Sequence, residues 1–427
     1  MKLRPQKRIC SSKDDRDRLS ELPDDVIVNI LSCMPIVDAV RTVLLRRFGN
    51  RWTLIHALKI DMSEYLKNFR KKKTKKIQCR WFRRFIHNVL LLHNNLSIDS
   101  FRLHIEINSV KDRDNAGDEL KEWTRFALDR QAKEIRLSDS SEFVNGSTSI
   151  LPNIFTSHSL VTLHLDSCQF DGEFQVKLES LKKLSLDCIN MTDEYFQRFI
   201  SGCPSLKELF IINPLRMEKL SFSAPNIDKL SLVQTSPYGW SNPLSLNFPN
   251  LKSLYLEFDV WRMDIIDVSS VRDIYIEYPS CFMKADEVFA LNQTLLEKFE
   301  GVEVFRLSCN ASEEFLRIIQ SMQHLQSRWK RVVLELRIDL VDWTNLTRLE
   351  LLTPCATPEL KTITLHGYGR TWRNQLELIQ FLLKIAAGLD KLVIAPISRL
   401  KEADELEFVK HVSSFPRASP TVRVIFA

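Results

Sequence analysis

The chain has 427 residues, 44% of them hydrophobic and 27% charged, with a formal charge of +6. That length exceeds one compact core and suits a small domain joined to a large one, or an elongated repeat array; the composition excludes disorder over most of the chain. No apolar stretch approaches the about 20 residues that span a bilayer.

Met1 to Cys10 is charged where a secretory signal would be apolar. The nine cysteines run from Cys10 to Cys355 without a Cys-x-x-Cys pair. Both features lead us to expect reduced thiols and a place in the nucleus, the cytoplasm or both. The charge is divided unevenly: 22 Lys and Arg face 9 Asp and Glu from Met1 to Arg84, whereas 38 face 45 in the remainder. A basic head therefore precedes an acidic body.

From Arg16 the sequence predicts two short amphipathic helices. Pro23 suits a first helical turn, and Asp24 and Asp25 favour the positive end of its dipole. Val26, Ile27, Ile30, Leu31 and Met34 then share one face, and Pro35 ends the helix because the residue before a proline leaves the α region. Asp38 is expected to cap a second helix with the stripe Val40, Val43, Leu44 and Phe48. About 40 residues of short helix bury too little surface to stand alone, so the stripes need a partner, either another protein or the chain's own body.

The run L-P-D-D-V-I-x-x-I-L-S-x-M-P, followed by D-A-V-R-T, resembles the F-box of the plant F-box/FBD/leucine-rich-repeat proteins. That resemblance implies a module that binds the small adaptor of a cullin-based (SCF-type) ubiquitin ligase. By matching position it assigns Leu22, Pro23, Ile27, Ile30, Leu31, Pro35 and Val40 to adaptor binding or to the module's core. The second half departs from the family: RTVLLRRFGNRW is one residue short and has Phe48 where tryptophan is usual.

Ten Lys and Arg lie between Lys67 and Arg84. They can form a solvated connector, a nuclear-import signal centred on Lys71, Lys72, Lys73, Lys75 and Lys76, or a phosphate-contacting patch. No nucleic-acid-reading motif accompanies them, so nucleic acid is not an expected partner. Trp81, Phe82, Phe85 and Ile86 are expected to open a buried helix that continues through Val89, Leu90 and Leu92.

The body repeats the pattern L-x-x-L-x-L. Copies start at Leu160, Leu181, Leu206, Ile227, Leu251, Val271, Leu346 and Leu360, with weaker ones at Ile98, Ala132, Val302 and Leu389. The spacings of 21, 25, 21, 24 and 20 residues from Leu160 to Val271 are those of leucine-rich repeats. Each copy is read as a short strand whose alternate side chains enter a shared core that only stacking can complete. Pro204, Pro225, Pro249 and Pro358 each sit two residues before a copy, and Cys168 stands where a repeat asparagine is usual. The outer strand positions Phe210, Ile212, Ser231, Val233, Tyr255, Glu257, Tyr275 and Glu277 are the candidate target-binding residues.

From Pro358 the chain resembles the FBD region of the same plant family. It reads as a strand, a helix with Ile379, Leu382, Leu383 and Ala386 on one face, and a strand over Leu392 to Ile394. Such a piece would cap the end of the solenoid. The search for chemistry fails: the nine histidines are dispersed, His164 and His366 sit singly at outer strand positions, and no cysteines have zinc spacing. Gly367 and Gly369 precede a helix, but Trp372 breaks the phosphate-loop pattern. Catalytic residues, metal and cofactor are therefore all assigned as none.

The fold read from the sequence is an α/β repeat protein. A basic tail over 1–15 leads into an F-box over 16–60 and a basic connector over 61–84. Irregular leucine-rich repeats follow over 85–345, and an FBD-like α/β cap over 346–427. The resemblance implies a non-catalytic receptor subunit that binds the adaptor, the cullin through it, and an unnamed target protein. A repeat scaffold with a decayed F-box is the alternative.

Overall fold

In a computed structural model the first two helices begin where two prolines place the chain in extended geometry. α1 spans Asp24–Ser32 behind Pro23 (ψ 151°), and α2 spans Ile36–Arg41 behind Pro35 (ψ 141°). The structure describes residues 21–45, 47–67, 75–94, 97–106, 110–139, 148–169, 174–215, 217, 222–234, 244–257, 263–267, 270–278, 302–309, 331–337, 360–368, 372–396 and 402–426. They fall into two compact units, Met1–Glu142 and Phe143–Ala427. Among the described residues no helix is long and apolar enough to cross a membrane.

Pro35 is therefore the cap of α2, not Asp38, which lies inside the helix and pairs with Arg41 at 3.0 Å. The expected second stripe is also corrected. The chain tightens to a 3-10 turn over Thr42–Leu44 and leaves helical geometry at Leu45. Two β-branched residues in succession, Thr42 and Val43, crowd the preceding turn and disfavour continuation. A further 3-10 turn, Arg51–Leu54, buries Trp52.

The rest of the first unit alternates strand and helix: β1 (Ala57–Asp61), α3 (Met62–Lys67), α4 (Lys75–Leu92), β2 (Ser100–Ile105), α5 (Val110–Asp129) and β3 (Glu134–Asp139). The three strands are parallel, with Leu58, Phe101 and Ile135 in one register row and Ile60, Leu103 and Leu137 in the next, all buried. Parallel strands need long crossovers, and α4 and α5 lie in those crossovers. Phe82, Ile86, Val89 and Leu90 of α4 are buried, as are Leu120, Trp123 and Ala127 of α5. Leu92, expected inside, is 57% exposed because α4 ends there. The segment 61–84 thus holds α3 and the first half of α4, and the first strand lies before it.

The second unit opens with β4 (Thr148–Ser149), β5 (Thr162–Asp166), β6 (Cys168–Gln169), β7 (Lys183–Asp187), α6 (Asp193–Ser201), β8 (Glu208–Ile212), β9 (Phe222–Ser223) and β10 (Lys229–Val233). It continues with β11 (Leu244–Asn247), β12 (Ser253–Glu257), β13 (Met263–Asp267), β14 (Asp273–Tyr278), β15 (Val304–Cys309) and β16 (Arg331–Arg337). It closes with β17 (Leu360–Tyr368), α7 (Trp372–Ile385), β18 (Lys391–Pro396), α8 (Glu402–Ser414) and β19 (Arg423–Phe426). Strands β5, β7, β8, β10, β12 and β14 through β19 form one parallel ladder in which consecutive repeats pair. Leu163, Leu184, Leu209, Leu230, Leu254 and Ile274 make one buried row, and Leu165, Leu186, Ile211, Leu232, Leu256 and Ile276 make the second. A second parallel ladder joins β9, β11 and β13. β16 and β19 were not read from the sequence, and the copy at Leu346 lies outside the described residues.

Main-chain hydrogen bonds close each repeat. Ser167, Cys188 and Asn213 directly follow their strands at φ 54°, 48° and 43°. That left-handed turn aims each N–H at the carbonyl ending the next strand: Asp187 at 2.9 Å, Ile212 at 2.9 Å and Val233 at 2.8 Å. Cys168, at the usual asparagine position, is buried and donates its thiol to the Asp166 carbonyl at 3.2 Å. Before the strands the prolines sit in tight turns, where Ile227 N donates to Ala224 O and Leu251 N to Phe248 O. The side chains of Asn226 and Asn250 donate to the Pro204 and Pro225 carbonyls of the preceding repeat, at 2.9 and 2.8 Å.

After the last repeats, α7 buries Leu378, Ile379, Leu382 and Leu383, with Ala386 buried just beyond it. β19 pairs with β18, and Phe408 of α8 meets Phe426 edge to face.

A Cβ on Gly202, just after α6, would lie 2.5 Å from the Val176 carbonyl oxygen, a backbone atom that cannot rotate away. Gly202→Ala should therefore destabilise the second unit by about 1–3 kcal/mol. Gly117→Ala in α5, with nothing within 4 Å, should stabilise by about 0.5–1 kcal/mol. Thermal denaturation of the two variants tests both signs.

Candidate interaction surfaces

The apolar residues of the N-terminal module divide into two sets. Ile27, Leu31, Ile36, Ala39, Trp52 and Ile55 form its core. Val26 and Ile30 are each 39% exposed, Val43 44%, Leu44 87%, Leu45 53% and Leu54 43%. These six are the majority of the ten large exposed hydrophobics among the described residues. Their concentration within 29 residues gives this module more exposed apolar surface than any other described segment of that length.

This division sorts the residues assigned to adaptor binding or to the module's core. Ile27 and Leu31 are fully buried and belong to the core, because their turn of α1 packs inward. Of the other assigned residues, Pro23 and Ile30 are exposed, and Leu22, Pro35 and Val40 are half-buried. Val26, Val43 and Leu44, read only as members of the two stripes, are also exposed, and so are Leu45 and Leu54, which the sequence reading did not single out.

A charged fork fixes the module's two halves. Arg51 grips both oxygens of Asp24, Nε to Oδ1 at 3.0 Å and Nη2 to Oδ2 at 3.1 Å. Arg47 reaches the same carboxylate at 3.0 Å and the Leu22 carbonyl at 2.9 Å. The Arg51 hydrogen bonds, with the charges of Arg51 and Arg47, hold the Asp24 carboxyl below its ordinary range. His93, buried after α4, anchors the following segment. Its Nε2 lies 2.8 Å from the Ile55 carbonyl, which can only accept, so Nε2 carries the proton. Burial pushes the His93 pKa down, because the charged imidazolium would lose its water.

Lys71, Lys72 and Lys73 of the import candidate lie outside the described residues, and Lys75 and Lys76 begin α4. Arg83 of the same basic run faces Glu119 of α5 at 3.0 Å.

In the second unit the register brings together the residues singled out on the repeats. Phe210, Ser231, Tyr255 and Tyr275 align across β8, β10, β12 and β14, and Ile212, Val233, Glu257 and Glu277 align beside them. Both rows lie on the face opposite the leucine core. Ser231 and Glu277 are buried, and the other six are half-buried. At one edge Glu208 takes Lys183 at 3.2 Å and Lys229 at 3.0 Å, and the Lys183 ammonium stands 4.7 Å over the Phe210 ring. Around Tyr255 the partners are carboxylates instead: its hydroxyl meets Glu257 at 2.7 Å and Glu277 at 2.9 Å. Glu335 joins through Tyr275 at 3.1 Å. It escaped the sequence reading because β16 did.

His164 is half-buried and His366 exposed on their strands. Asp166, Asp187 and Cys188 bring three ligand-type atoms within 4.8 Å. Burial raises the Asp187 pKa and lifts that of Cys188 to about 12, so the thiol stays protonated and is a poor metal ligand. Gly369 of the loop weighed in the sequence lies outside the described residues.

The parallel ladder, the two buried rows and the strand-end turns define a leucine-rich-repeat protein with an N-terminal helical module. Residues 89–300 match the family model described as At1g61320/AtMIF1, LRR domain. The chain is 27% identical over 448 residues to the F-box/FBD/LRR-repeat protein At5g56420 of Arabidopsis thaliana, covering 96% of this chain and 99% of that one. It is 26% identical over 467 residues to the FBD-associated F-box protein At5g56380 of the same plant, covering 96% and 100%. The F-box protein At4g09920, also of Arabidopsis thaliana, is 31% identical over 223 residues, 51% of this chain and 65% of the relative. The plant F-box/FBD/leucine-rich-repeat proteins are thus the family that this chain resembles along nearly its whole length.

Two measurements test the division of the module. Ile27→Ala should cost about 2–5 kcal/mol through the cavity it leaves, whereas Leu44→Ala should change stability by less than about 0.5 kcal/mol. Because the folded His93 pKa lies below the unfolded value of about 6.5, its stabilisation is complete above that pH and lost as pH falls. The midpoint of thermal unfolding should drop less between about pH 7.5 and 5 in His93→Gln than in the parent chain.

Proposed function

We propose that this chain is the target-recognition subunit of a cullin-based ubiquitin ligase. The observation that carries the reading is the exposed apolar patch of Val26, Ile30, Val43, Leu44, Leu45 and Leu54 on a module with its own core. Covering a leucine, isoleucine or valine side chain is worth about 1.5–3 kcal/mol, so a partner that buried this patch would gain several such contributions. The F-box names of the relatives supply the partner's class, the ligase's small adaptor, with the cullin reached through it. In this reading the repeat face holds a target protein, the FBD-like segment caps the solenoid, and ubiquitin transfer is performed by other subunits. The chain itself is not an enzyme, and it works in the nucleus, the cytoplasm or both.

A second reading, a repeat scaffold whose F-box has lost its adaptor, is favoured by one observation: a 3-10 turn replaces the second half of α2's expected stripe. Capture separates the two. Purified full-length chain should retain the adaptor at micromolar concentration or tighter. The double variant Leu44→Asp with Leu45→Asp should lose that capture by at least about a hundredfold while its unfolding midpoint stays within a few degrees. Absence of capture by the intact, folded parent chain would sink the ligase reading and leave the scaffold.

A further inference from the structure

The basic run singled out in the sequence leaves part of itself on the outside of α4. At 3.6 residues per turn Arg80, Arg84, His87 and Leu91 fall within an arc of about 60°, and all four are exposed. Phe82, Ile86, Val89 and Leu90, on the opposite side of the helix, are buried. Arg83 is turned to Glu119 of α5 at 3.0 Å. Arg80 and Arg84, one turn apart, have no ion pair among the described residues. Like charges four residues apart weaken a helix, so this pair does nothing for the fold.

The stripe ends on leucines beside the N-terminal module. Leu91 is 73% exposed and Leu92 57%. Asn94 N donates to Thr53 O at 2.8 Å, and His93 Nε2 donates to Ile55 O at 2.8 Å. These two bonds clamp the end of α4 to the 3-10 turn Arg51–Leu54 and the residue after it. Leu91 and Leu92 belong to the helical turn just before Asn94, so both begin within about one pitch, 5.4 Å, of that junction. Leu54, part of the module's exposed patch, stands on its other side. Of the ten large exposed hydrophobics among the described residues, six are on the module and two on the helix end clamped to it. A surface that runs from apolar at the module to cationic along α4 suits a partner with an apolar ridge and an acidic flank.

We propose that the adaptor-docking surface continues past the module onto the outer face of α4, where the adaptor lays apolar side chains against Leu91 and Leu92 and acidic side chains against Arg84 and Arg80. The inference rests on the ligase reading, from which it takes its occupant. Continuity selects that occupant: whatever covers Leu54 reaches the two leucines across about one helix diameter, 10–12 Å. The surface thereby gains residues from outside the F-box segment, and the adaptor's flank gains a sign.

The test titrates purified Arabidopsis thaliana adaptor onto immobilised full-length chain at about 50 mM and about 500 mM salt. Leu91→Ser with Leu92→Ser should bind the adaptor about tenfold more weakly or worse at both salt concentrations. Arg80→Gln with Arg84→Gln should bind several-fold more weakly at the lower concentration and like the parent chain at the higher, where screening has already removed the attraction. Unfolding midpoints should stay within a few degrees of the parent's, since all four side chains are exposed. Should the leucine double variant not fold, Leu91→Ser alone takes its place and should weaken binding several-fold. Capture equal to the parent's by either variant at low salt overturns this inference and leaves the ligase reading standing. A leucine variant that loses self-association in sedimentation but keeps the adaptor assigns the face to a second copy, and overturns it too. A parent chain that never captures adaptor overturns the ligase reading and this inference with it.

Discussion

A parallel strand of five residues sends only two side chains into the leucine core, and everything in the second unit follows from that poverty. Leu184 and Leu186 have no core of their own; theirs is made by Leu163 and Leu165 on one side and Leu209 and Ile211 on the other. Register is therefore not a detail. Slipping one strand by a residue would turn Ser185 inward and both leucines outward, and the penalty would fall on both neighbours. The same constraint lines up the opposite face. Because the leucines must match across strands, Phe210, Ser231, Tyr255 and Tyr275 are obliged to stand in a row. The surface is a by-product of the core's alignment.

The N-terminal module meets the opposite problem, having more apolar surface than it can cover. Ile27 and Ile30 belong to one helical stripe, yet one is sealed and the other open. The short helices, the two 3-10 turns and Trp52 make a core deep enough for half the stripe. The Asp24 fork with Arg47 and Arg51 then holds α1 against the segment that carries Leu44 and Leu45. A rigid frame beneath an apolar patch lowers the entropy that a partner would have to remove on docking.

How much of this was legible in the sequence depends on whether a feature repeats. The L-x-x-L-x-L copies gave the strands of the main ladder from Ser100–Ile105 to Asp273–Tyr278 because each copy vouches for the next. The short strands β4, β6, β9, β11 and β13 carry no such copy and were not read. Three strands of the main register were also missed. β1 carries the same pattern, I-H-A-L-K-I from Ile55, but lay inside a segment claimed by the helical motif. At β16 Trp329 stands where the leading leucine belongs, and at β19 Thr421 does. The outer-strand residues were legible as positions, since two-residue alternation puts them outside the core. Their chemistry as a group was not, because Tyr275 and Glu335 meet across 60 residues of sequence. The split of α1 was likewise hidden: periodicity reports a stripe but not how wide a neighbour will cover it.

The strand-end turns have a further implication. Their hydrogen bonds run from main chain to main chain, through Ser167, Cys188 and Asn213, three side chains with nothing in common. Where an asparagine ladder would tie each turn to one amino acid, here the peptide unit does the fastening. Loops leaving these turns can lengthen, shorten or change composition without loosening the stack behind them. Such a framework lets the edge of the solenoid drift toward new ligands at little risk to folding.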